Sequence, residues 1–167
     1  MDIAFLLGLL FRWLHILAAI VAVGGTVFAR FVVLPTLNEW PAEERARLHA
    51  ALRARWSKII QAAIAFLLVS GLYNIAVTSI KYTVPAWYNP LFGVKFLLAM
   101  IIFAVASLLI GKTPLADQVR RNAPFWLNLN IALAVLVVCI SGILRTADKV
   151  PKQPVQAEMP VSGPATP

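Results

Sequence analysis

The chain has 167 residues, 60% of them hydrophobic and 13% charged, against about 25% charged in an ordinary soluble domain. A mean hydropathy of +0.81, spread over the whole length, calls for several bilayer crossings of about 20 apolar residues each and excludes a large soluble enzyme. The net charge of +8 is read as orientation charge, with no nucleic acid as partner, and the single Cys139 excludes an intrachain disulfide scaffold and a cysteine-based zinc domain.

In chain order, apolar runs fall at about Ile3–Leu34, Ile59–Ile80, Leu91–Ile110 and Phe125–Leu144, each closed by charges or turn residues. They predict an all-α fold: an integral membrane four-helix bundle with short amphipathic interfacial helices in the first and third loops. The first run exceeds one hydrocarbon thickness, so its helix tilts or leaves an end among the headgroups. With Asp2 and no Lys or Arg ahead of it, it reads as an uncleaved span, not a signal peptide.

Segment Pro41–Lys58 reads as a surface helix running into the second span, with Pro41 at its first turn, Glu43 and Glu44 next, and four arginines later. That order suits the helix dipole. Thr113–Asn122 repeats the device, with Thr113 as cap, Pro114 after it, and Arg120 and Arg121 at its end. Residues 1–148 are expected to form the transmembrane domain, and the Pro-rich residues 149–167 a disordered tail.

Most Lys and Arg of the connections lie in the first and third loops. The positive-inside rule makes those loops cytoplasmic and predicts a multi-pass bacterial inner-membrane protein with both termini periplasmic. The expected partners are the lipid bilayer and either a second copy or a larger membrane complex.

Ionisable side chains within or bordering the spans are the candidate site residues, because burying them is costly unless they serve a function. They are Arg12, His15 and Arg30 in the first span, Lys95 in the third and Arg145 at the end of the fourth; no Asp or Glu falls inside any run. With alternating helix directions, Arg12, His15, Lys95 and Arg145 come to one level in the outer leaflet, and Arg30 lies near the opposite end. Unpaired cations suit an anionic ligand, and His15 suits a metal, heme or polar substrate, or else a hydrogen bond between helices. Cys139 and Met100 could join His15 around Cu(I). Trp13, Trp87, Tyr88 and Trp126 read as interfacial belt residues, and Asn74, Ser107, Asn128 and Asn130 as bonds between helices.

The stretch Arg12 to Pro35, with His15, Gly24, Gly25 and Arg30, resembles the first helix of the copper-resistance D and HemJ-type superfamily of small bacterial membrane proteins. Gly93-Val-Lys95 looks like the start of the HemJ-type third helix, and Asn122-Ala-Pro124 like the entry to the fourth. HemJ-type members are protoporphyrinogen oxidases that carry b-type heme. The resemblance therefore implies His15 as axial and metal ligand, Arg30 and Lys95 as further site residues, and a redox role. The second histidine usual in the HemJ-type third helix is replaced here by the stretch Val105-Ala106-Ser107. Copper transport or tolerance, as in copper-resistance D proteins, is the alternative that the same resemblance carries. A non-catalytic structural membrane subunit is the third.

Overall fold

The structure, a computed structural model, describes residues 3–152. Helix α1 (Ile3–Phe28) continues through one wide π-helical turn, Ala29–Val33, into the short α2 (Leu34–Asn38). Pro35 accounts for the turn. It has no N–H, and in a regular helix its ring would meet the carbonyl four residues back, at Phe31. The chain widens instead: the Leu34 N–H bonds Ala29 O, five residues back. The long first run thus stays helical throughout, as a rod of 36 residues from Ile3 to Asn38.

Helix α3 (Ala42–Lys81) has 40 residues and is about 60 Å long, roughly twice the hydrocarbon thickness. It starts at Pro41, whose ψ of 145° is outside the helical region, and carries Glu43 and Glu44 in its first turn. The basic segment Pro41–Lys58 is the unbroken lead-in to the second span. The remaining elements are β1 (Tyr82–Thr83), α4 (Tyr88–Ile110), α5 (Pro114–Arg121), α6 (Ala123–Arg145) and β2 (Val150–Pro151). In α5 the Thr113 hydroxyl accepts from the Ala116 N–H at 3.2 Å, with Arg120 and Arg121 in the last turn, as the sequence predicts. Among the described residues four helical stretches are long and apolar enough to cross a bilayer, and large apolar side chains such as Leu17, Phe66 and Val135 point outward. The protein is an all-α, multi-pass membrane bundle.

Helix α1 packs chiefly on α3, and α4 on α6. The α1–α3 pair is antiparallel: Phe11 stacks on Tyr73 with ring centroids 4.3 Å apart, His15 meets Ser70, and Gly25 lies against Trp56. At the end where α1 begins and α3 finishes, Tyr88, Ile140, Leu144 and Ala147 form a buried apolar cluster. Tyr88 is therefore a core residue and not part of an aromatic belt, because the first turn of α4 faces the last turns of α6. Trp13 and Trp87 are exposed, as belt residues must be.

The first residues of the expected tail are tied to this same end. Thr83 pairs with Val150 and Tyr82 with Pro151 in an antiparallel ladder. The Lys152 N–H donates to Lys81 O at 3.0 Å, its ammonium donates to Ser79 O at 2.8 Å, and the Lys149 ammonium sits 5.5 Å from the centre of the Tyr88 ring. The rest of the expected tail lies outside the described residues.

Candidate functional site

A cavity of about 690 Å³ opens between the four long helices, with His15 and Lys95 on its lining. Its wall is otherwise almost wholly aliphatic and aromatic, broken by Thr26, Asn130 and Ser141, and among the described residues no Asp or Glu contributes to it. The small residues of α1 make room for it: Ala19, Ala22 and Gly24 lie on the lining where larger side chains would fill the space.

His15 is held by α3. Its Nδ1 lies 2.7 Å from Ser70 Oγ, and Ser70 is almost completely buried. The Ser70 hydroxyl donates to the Phe66 carbonyl in a short hydrogen bond, so its one proton is committed. In the tautomer that matches this bond, Ser70 accepts from Nδ1–H of His15. Nε2 is then left with its lone pair on a residue that lines the cavity. Gly71, next to Ser70, keeps the helices close enough for this bond: a Cβ there would sit 3.6 Å from His15 Cε1.

Lys95 reaches the same cavity from α4, within electrostatic range of His15. Among the described residues its ammonium has no carboxylate partner, since the one ion pair is Arg120–Asp117. The other candidates are elsewhere. Arg12 and Arg145 are exposed and do not line this cavity. Sharing a level does not mean sharing a face. Arg145 follows the buried Leu144, and a step of one residue turns it outward, where a guanidinium is better solvated. Arg30 sits in the π-helical turn, where its Nε donates to Asn128 Oδ1 of α6 at 2.8 Å and its guanidinium lies 5.3 Å from the centre of the Phe31 ring. It ties the wide turn to α6, away from His15.

Met100 and Cys139 are both exposed and neither lines the His15 cavity. No group of three or more His, Cys, Asp or Glu side chains able to hold a metal ion occurs among the described residues.

Ser70 is the site residue that the charge-led reading passes over. Its signal is a serine followed by glycine inside the otherwise apolar stretch Ala62–Leu72. Asn130, which the sequence places as a bond between helices, is buried, and its Oδ1 has no hydrogen-bond partner among the described residues. Comparison with protein-family models, with curated proteins and with solved structures finds no match.

Proposed function

We propose that this membrane bundle holds a b-type heme or a related porphyrin in a redox role, with His15 as its axial ligand. The observation that carries the reading is the imidazole fixed through Nδ1 by Ser70, on the wall of an apolar cavity of about 690 Å³, within the volume range of cofactor pockets. A ligating histidine ordinarily has its second nitrogen held in this way, which sets the tautomer and the ring orientation. The donor set also fits. A porphyrin brings four nitrogens of its own, so one histidine suffices, whereas a bare copper ion needs several protein ligands and finds only His15 here.

Each residue has a defined part. Ser70 would orient the ring, His15 would hold the iron, the aliphatic wall would exclude water, and the Lys95 ammonium would pair with a carboxylate of the macrocycle. When bound, heme supplies one-electron chemistry that no side chain of the cavity offers. The HemJ-type resemblance supports the same assignment for His15 and Lys95. Arg30 enters it only as a positioning residue of the wide turn. The excess of Lys and Arg in the first and third connections supports an inner membrane location with both termini periplasmic.

The test is the absorption spectrum of protein purified in detergent from cells supplied with ample heme. A Soret band is expected, and His15→Ala should abolish or strongly shift it. Lys95→Ala should leave ligation unchanged but weaken heme retention by about 1.5–3 kcal/mol, as expected of a charge-assisted hydrogen bond. A colourless protein, or an unaltered spectrum in His15→Ala, rejects the assignment.

A further inference from the structure

A second cavity, of about 520 Å³, adjoins the first, with Thr26, Ile60, Ala106 and Asn130 as a common wall. It lies at the basic end of the bundle, where α1 and α4 finish and α6 begins. Its lining has a polar end and an apolar one. His49, Arg53 and Arg55 of α3 and Arg120 of α5 contribute to it, while the apolar run of α3 starts only at Ile59, about one turn beyond Arg55. The guanidiniums therefore stand at headgroup level, and Trp56, Ile59 and Ile60 lead from them toward the bilayer centre. Phe28, Leu52 and Ile59 line the cavity and are also exposed. It is thus open on an apolar side, where acyl chains surround the bundle.

The charges of this wall are unequally met. Among the described residues no Asp or Glu lines the cavity. Arg120 is engaged by Asp117 and by the Gly111 carbonyl, and since that is the one ion pair among the described residues, Arg53 and Arg55 are left without a carboxylate. Two such guanidiniums, at the mouth of an apolar cavity between membrane helices, suit an anion that carries its own apolar body. A soluble anion would leave the aliphatic wall to water, and an uncharged chain would leave the guanidiniums unpaired. The headgroup must also bring no cation, because the ammonium of an ethanolamine or choline lipid would meet only like charges here. Room for a chain comes from Gly25, Ala29 and Ala123, which line the cavity with little or no side chain. Ala29 opens the π-helical turn, a distortion that recurs at functional sites.

We propose that the second cavity is a binding site for an acidic phospholipid, its phosphate paired with Arg53 and Arg55 and one acyl chain lying beside Trp56 along the apolar wall. A lipid of the surrounding leaflet reaches this site without crossing water. The site uses neither His15, Ser70 nor Lys95 and does not depend on a heme.

The experiment is a titration of the protein in dodecyl maltoside with phosphatidylglycerol brominated on its acyl chains, followed by quenching of tryptophan emission, with brominated phosphatidylcholine as the comparison. Phosphatidylglycerol should quench saturably and bind about tenfold more tightly than phosphatidylcholine, the scale of one charge-assisted hydrogen bond, and Trp56→Phe should remove the difference. Replacing Arg53 and Arg55 together by glutamine should bring phosphatidylglycerol to the phosphatidylcholine level. Replacing Arg47 and Arg121, which carry the same charge at the same end but line neither cavity, should leave the preference in place. Glycerol 3-phosphate in large excess should not displace the lipid. Equal quenching by the two lipids, a preference that survives loss of Arg53 and Arg55, or one lost equally with Arg47 and Arg121 overturns the proposal. Displacement by glycerol 3-phosphate would mean that the cations take a soluble phosphate, and overturns the lipid assignment. Because emission is read without a heme band, a colourless protein that prefers phosphatidylglycerol upholds this site while rejecting the heme assignment.

Discussion

His15 on α1 and Ser70 on α3 are joined by a 2.7 Å hydrogen bond between Nδ1 and Oγ, and Ser70 itself donates to Phe66 O. The pair is a helix-to-helix tie that favours the Nδ1–H tautomer. Ser70→Ala leaves the Nδ1–H of a half-buried imidazole without its acceptor, and should cost about 1 kcal/mol, the scale of polar bonds between membrane helices. Unfolding in detergent by added dodecyl sulfate measures it. If heme is bound, the same substitution should broaden or shift the Soret band without abolishing it, since the ligand remains but its orientation is freed. An unfolding curve and spectrum identical to wild type would mean that the Ser70 contact does not set the ring.

Adjacent glycines in α1 differ in what surrounds them. A Cβ added at Gly25 would overlap the Trp56 indole, whereas one at Gly24 meets nothing within 4 Å. Gly25→Ala should therefore force α1 and α3 apart or turn Trp56 out of place, at about 1–3 kcal/mol. Gly24→Ala should be neutral or slightly stabilising, because alanine is the better helix former. Dodecyl sulfate unfolding compares the two directly, and equal behaviour would contradict the close approach at Gly25.

The pattern of this bundle is legible in the sequence because apolar length is a one-dimensional signal. Span number, the cap at Thr113 and the run-on of the basic segment into the second span all follow from composition and spacing. Charge alone also singles out His15 and Lys95, which do share a cavity. What composition does not carry is rotation about each helix axis. Arg12 and Arg145 have the right level and the wrong face, and Ser70 matters because of where it points. The wide turn at Ala29–Val33 is half legible: Pro35 signals a disturbance, but only the α6 contact through Asn128 explains why Arg30 is held there.

The C-terminal segment offers a clean comparison of two truncations. Ending the chain after Lys152 keeps the ladder to Tyr82 and Thr83 and both Lys152 hydrogen bonds, whereas ending it after Ala147 removes them. Most of these groups are exposed and water can replace them. The shorter protein should be less stable than the longer by only about 1–2 kcal/mol, a few net hydrogen bonds' worth. The difference should appear in the unfolding midpoint of otherwise identical detergent preparations. Loss of folding after Ala147 would mean that this strap closes the Tyr88 cluster and does not merely lie over it.

Orientation can be tested through the charges that should set it. Arg45, Arg47, Arg53, Arg55 and Lys58 on the first half of α3, with Lys112, Arg120 and Arg121, gather at one end of the antiparallel bundle, while Lys81, Arg145, Lys149 and Lys152 mark the other. Positively charged loops are retained in the cytoplasm, so both described ends of the chain should lie outside. Alkaline phosphatase fused after Lys152 should be active, and green fluorescent protein at the same position dark. Replacing Arg45, Arg47 and Lys58 by glutamine narrows the asymmetry and should yield a mixture of the two orientations. A bright fluorescent fusion with inactive phosphatase in the unsubstituted protein would invert the bundle. His15 and Lys95 would then lie nearer the cytoplasmic face, leaving the geometry of their cavity unchanged but reversing the side from which it is reached.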